Sequence, residues 1–163
     1  LTGASLQMFT HGMITGLLFI MVGLVYERTH TREIGQMSGL MRNMPFVGVM
    51  FYIAGFASLG LPALAGFWAE LLVFLGTFNK FVPMTILGVV GVLLSAGYVL
   101  WMLQRVLWGP PMARWSGLGD ATAWWERVPV IALSLTILAV GIYPSWMVDV
   151  IQMGVQPIAQ RLS

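Results

Sequence analysis

Hydrophobic positions in this chain come in long unbroken runs. Four stretches contain no Asp, Glu, Lys or Arg: residues 1–26, 43–69, 81–104 and 128–148. Each matches or exceeds the roughly 20 residues that carry a helix across a bilayer core. In lipid the backbone must satisfy its own hydrogen bonds, so each run predicts a helix, not a strand. Prolines punctuate the runs. Pro45, Pro83 and Pro129 fall near helix starts, where a missing N–H costs little. Pro110, Pro111 and Pro144 follow helix ends. Tyr26, Trp101, Trp108, Trp115, Trp124, Trp125, Tyr143 and Trp146 sit near the ends of runs. Aromatic belts form there, at the lipid–water boundary.

The second run is too long for one straight crossing. It continues past Glu70 to Phe78, about 34 residues, or about 51 Å of helix against a core of roughly 30 Å. Its middle carries Gly60, Pro62 and Gly66. Pro62 removes a backbone bond, and the glycines make a break cheap. The halves, about 46–61 and 63–78, are each too short to span alone. They form either one broken helix or two re-entrant segments. If the broken segment crosses once, Arg28, Arg32, Arg42, Arg105, Arg114 and Arg127 lie on one side, with Lys80 and Arg161 on the other. That is 6 against 2; separate crossings would give 5 against 3. The positive-inside rule favours the single crossing. It also puts the 27–45 and 105–128 loops on the cytoplasmic or matrix face. The predicted elements are helices at 3–26, 45–79 (broken near 59–66), 81–108 and 129–147, in a single membrane domain. A tail at 149–163 lies along the interface or frays.

Composition agrees with an all-α transmembrane bundle of about four spans. Hydrophobic residues make up 58% of the 163 positions, charged residues only 9%, and mean hydropathy is +0.86. A soluble domain is about a quarter charged. A lone Lys and scattered Arg give no basic patch, so no nucleic-acid partner is expected. The absence of Cys removes disulfides, thiolate nucleophiles, iron–sulfur ligation and Cys-bound zinc. Neither GxGxxG nor GxxxxGK[ST] occurs. Leu1 opens directly into an apolar run without a basic stretch before it, so no secretory signal peptide is expected and the chain is expected to be part of something longer. Gly12 and Gly16 form a GxxxG that lets another helix approach closely.

Two residues in the runs can carry chemistry. His11 lies inside the first run, with Gln7 and Thr15 four residues to either side on the same helix face. A histidine titrates near neutrality and can both give and take a proton. Glu70 is the only acid within a hydrophobic stretch, about two turns beyond Pro62. Broken helices expose backbone groups that need water or polar partners, so the carboxylate sits where hydration is expected. Ionisable groups at this depth are costly and face a partner or a wet cavity. Together they suggest proton relay. The plainer alternative makes both of them packing contacts to other helices. No second buried His, HExxH or Cys supports a metal site, and no nucleophile sits beside a base. Glu27, Arg28, His30, Arg32 and Glu33 form a mixed-charge loop, and Lys80 snorkels. The twelve Met residues are scattered and fill packing gaps. Ser58, Thr77, Ser95 and Tyr98 would extend a hydrogen-bonded chain if they faced one another.

Three segments resemble a known family. They are Thr10-His11-Gly12 with Leu18-Phe19-Ile20, the Tyr26-Glu27-Arg28-Thr29-His30-Thr31-Arg32 loop, and Gly60-Leu61-Pro62 with Gly66-Phe67-Trp68-Ala69-Glu70. They are similar to the antiporter-like membrane subunits of NADH:quinone oxidoreductase (respiratory complex I), of the subunit M or chain 4 type. Relatives of those subunits occur in sodium/proton antiporters and membrane-bound hydrogenases. The resemblance implies a fourteen-helix fold with two inverted repeats, of which this chain would be the C-terminal third. By resemblance, His11 matches a histidine of the central relay, and Glu70 the acid on the second broken helix. Lys occupies that position in some sister subunits, so Glu70 points to the subunit M type or an acidic antiporter subunit. Other working groups of the family lie upstream, so this stretch alone is not expected to pump. The implied activity is proton translocation driven by redox chemistry elsewhere, with no catalytic centre, cofactor or metal in this chain. Flavin and iron–sulfur clusters are expected in partner subunits. Other membrane and peripheral subunits, neighbouring antiporter-like subunits and lipid are the expected partners. A bacterial plasma membrane, or an organellar energy-transducing one, is the expected location. A cation/proton antiporter subunit and a structural membrane scaffold are the alternatives.

Overall fold

The computed structural model describes residues 1–162, and among them every regular element is helical. The helices are α1 (Thr2–Thr29), α2 (Leu40–Asn43), α3 (Pro45–Ser58), α4 (Ala65–Phe78), α5 (Val82–Leu107), α6 (Trp124–Ile142) and α7 (Ser145–Leu162). Short 3-10 turns occur at Ile34–Gln36 and Ala113–Trp115. Three helices, α1, α5 and α6, are long and apolar enough to cross a membrane; α3 and α4 are shorter apolar helices. The chain is thus an integral, multi-pass membrane protein.

Helix α1 is the centre of the bundle and packs against α3, α4, α6 and α7. Its buried residues Leu6, Thr10, Ile14, Leu17 and Met21 recur every three or four positions, one helical face. Close approach to α4 depends on Gly3, where a Cβ would come within 2.8 Å of the Val73 nitrogen. Gly12 and Gly16 behave differently. A Cβ at either would meet nothing within 4 Å, so the GxxxG packs no helix among the described residues.

One end of the bundle is a knitted cap. Arg28, at the end of α1, donates to the Gly119 carbonyl at 2.9 Å and to Glu126 at 2.7 Å. The Asp120 carboxylate accepts the N–H groups of Phe46 at 2.6 Å and Val47 at 3.2 Å, capping α3. Asn43 donates to the Trp115 carbonyl, and the Trp115 indole to that of Gln36. The 30–44 and 108–123 loops therefore lie together at this arginine-rich end. Helix α3 starts there, and α4 reaches Gly3 at the opposite end of α1, so the two halves make one interrupted crossing.

Three boundaries differ from the sequence expectation, the first being that α1 runs on to Thr29, not 26. Helix α6 starts at Trp124, not 129, and stops at Ile142, not 147. Pro129 falls at its sixth position, where the ring faces a carbonyl without donating to it. The carbonyl of Ala123 supports the extra turn, accepting from Glu126 and Arg127 N–H. At the other end Pro144 separates α6 from α7. The tail is helical through Leu162, with Met147, Val148 and Ile151 half-buried against the core; Ser163 lies outside the described residues.

Candidate functional site

The break between α3 and α4 runs from Leu59 to Leu64. Pro62 has no N–H to continue the helix. Gly60 turns into the left-handed region at φ 63, and Ala63 does so at φ 70 despite its Cβ. Such a conformation costs a non-glycine residue about 1 kcal/mol, so the packing around it must hold it. That packing comes from α4 and α6. A Cβ on Gly66 would strike the Ala57 carbonyl oxygen, and one on Gly141 would strike that of Ala63. The Trp68 indole donates to the Gly141 carbonyl at 2.8 Å.

Glu70 is half-buried one and a half turns into α4. Its carboxylate folds back over the break, where a Cβ at Gly60 would collide with it. Gly60 thus serves twice, adopting the positive φ and leaving room for the acid. His11 projects from α1 into the same region. Both line one cavity of about 480 Å³, with Gln7 and Thr15 of α1, Ser58 at the end of α3, and Ser95 and Tyr98 of α5. Apolar walls come from Ile14, Leu18, Phe51, Val99 and Met102 among others. Space of this size suits on the order of fifteen waters at about 30 Å³ each.

The polar groups of the cavity are sparsely bonded to protein. Thr15 donates to the His11 backbone carbonyl at 2.7 Å, Ser58 to Gly55 and Ser95 to Gly91. Tyr98 reaches Ser95 at 3.4 Å. Among the described residues, neither the His11 imidazole nor the Glu70 carboxylate has a hydrogen-bonding protein partner. Gln7 Oε1 is buried without a partner. A buried acceptor in that state costs about 1–3 kcal/mol unless water meets it.

The structure therefore brings His11 and Glu70 to one cavity, with Ser58, Ser95 and Tyr98. It does not bring Thr77, whose hydroxyl donates to the Val73 carbonyl and accepts from Thr85 outside the cavity. Gln7 was visible in sequence only as a neighbour of His11; its buried acceptor needed the fold. Among the described residues no three metal-ligating side chains converge.

Comparison with known proteins fits this architecture. Residues 1–95 match the family model described as NADH:quinone oxidoreductase/Mrp antiporter, TM. The chain belongs to this family. It is 37% identical over 162 residues to NADH-quinone oxidoreductase subunit M of Rhodobacter capsulatus, covering 98% of this chain and 31% of that protein. It is 40% identical over 155 residues to NAD(P)H-quinone oxidoreductase chain 4 of Acaryochloris marina, covering 88% and 29%. The chain thus spans under a third of the length of these curated relatives. Among solved structures, respiratory complex I from Thermus thermophilus with bound NADH aligns at TM-score 0.79 and 32% identity, over 91% of this chain and 30% of that one. The Mrp complex from a Dietzia species aligns at TM-score 0.83 and 20% identity, over 93% and 36%. That second likeness speaks to fold alone. The antiporter-like fold expected from the sequence is the fold observed.

Proposed function

We propose that this chain is the proton-handling part of a membrane subunit in a redox-driven NADH:quinone oxidoreductase, and that His11 and Glu70 exchange protons through water in their shared cavity. One observation carries this reading. Two titratable side chains from separate elements line one polar-studded cavity beside a helix break, and among the described residues neither is tied to a protein partner. An imidazole can accept a proton at one nitrogen while donating from the other. A carboxylate can take that proton and release it. Ser58, Ser95, Tyr98 and Gln7 would hold the intervening water in a line. The subunit M and chain 4 relatives favour the redox-driven enzyme over the cation antiporter. Electron transfer belongs to partner subunits with flavin and iron–sulfur clusters, and this chain contributes no redox centre.

The test is Glu70→Gln in the full-length protein in its native membrane. Donor oxidation and proton uptake are recorded together in inverted vesicles, with and without sodium. Reduced proton uptake per electron, with the complex assembled and sodium without effect, is the expected result. Wild-type uptake per electron would return Glu70 to a packing role, and sodium-dependent flux without a redox donor would favour the antiporter.

A further inference from the structure

A second cavity, of about 580 Å³, opens at the arginine-rich end, between residues 34–38 and the last two turns of α5. We propose that it holds the phosphate headgroup of an anionic phospholipid, with Arg105 as its cation. The Arg105 guanidinium lies over the Trp101 ring, 4.5 Å from the centroid. That stacking holds one face of the cation and leaves its N–H edge free.

No acid among the described residues pairs with it. Among the described residues both ion pairs belong to Arg28. Of the acids at this end of the bundle, Glu27 and Glu126 pair with Arg28, Asp120 caps α3 and Glu33 accepts from Gln36. An anion is the missing complement, and a guanidinium fork suits a phosphate. Gln104 supplies a second polar group on the same wall, and Trp108 closes the rim.

The rest of the helix favours a lipid over a soluble phosphate. From Arg105, spacings of four and then seven residues lead through Trp101, Leu94 and Leu87, all exposed and on one face. A Cβ at Gly97 would meet nothing within 4 Å, which leaves a dent at the edge of that stripe. The headgroup would sit at the indole depth, where tryptophans mark the interface. An acyl chain would lie along the apolar stripe below it.

The test uses the full-length protein in its complex, in nanodiscs doped with diazirine-bearing phosphatidylglycerol or the matching phosphatidylcholine. Cross-linked peptides are then mapped by mass spectrometry. Phosphatidylglycerol should label the 97–108 segment in the native protein. Arg105→Gln should cut that labelling about tenfold, Trp101→Leu by a smaller factor, and Arg42→Gln, on the same face outside the pocket, should leave it unchanged. Equal labelling by phosphatidylcholine, or undiminished labelling in Arg105→Gln, would overturn the site. Competition by millimolar inorganic phosphate would reassign it to a soluble anion. None of these outcomes depends on the role of His11 or Glu70.

Discussion

The arginine-rich cap and the helix break hold similar numbers of polar side chains and treat them in opposite ways. In the cap, Arg28, Asn43, Asp120 and Glu126 spend their donors and acceptors on one another and on loop backbone. At the break, among the described residues, His11 and Glu70 have no hydrogen-bonding protein partner, and Gln7 buries an acceptor that no protein group meets. A polar group removed from water is costly unless bonded. The cap satisfies that demand with protein and becomes a structural lock. The break leaves that demand unmet by protein, which is the setting the proposed proton exchange requires.

The difference can be broken in order of expected effect. Arg28→Leu strands Glu126, which is only 16% exposed. It should destabilise the full-length protein by about 3 kcal/mol, read from chemical unfolding in detergent, and Glu126→Gln in the same background should recover part of the loss. Gly141→Ala drives a methyl into the Ala63 backbone. A loss of about 2 kcal/mol is expected, together with a change in near-ultraviolet circular dichroism from the neighbouring Trp68. Asp120→Ala uncaps α3 and should cost about 1.5 kcal/mol, with Asp120→Asn costing less; a thermal-shift series would rank them. Gln7→Leu is the sharpest contrast. Removing an acceptor that no protein group meets should leave stability unchanged or raise it, by up to about 1–3 kcal/mol, while lowering proton uptake per electron. A Gln7→Leu cost as large as that of Arg28→Leu would show that the break is as tightly bonded as the cap.

The break was legible because its signals are local. A run too long for the bilayer, a proline between glycines and one acid beyond it lie within a dozen residues. The cap was not, because its partners are distant in sequence. Arg28 and Glu126 are 98 positions apart, and Asp120 caps a helix that starts 75 residues earlier. Pro45 marks that start, but the residue before it, Met44, offers no capping side chain, so the local capping rule had nothing to find. Ser58, Ser95 and Tyr98 were noted, but only the packing of α5 beside α3 places them with His11. Thr77, equally polar, went elsewhere. The early start of α6 followed from backbone carbonyls near Ala123, which side-chain patterns do not reveal.

The bond from Trp68 to Gly141 works as a distance gauge between two helices. At 2.8 Å it tolerates less than about 1 Å of lengthening before it is lost. One residue of helical travel is about 1.5 Å. With this contact closed, α4 cannot ratchet along α6 by a single residue. If Glu70 relays protons as proposed, its loading and unloading fall to rotating side chains and shifting waters, with the backbone around them standing still.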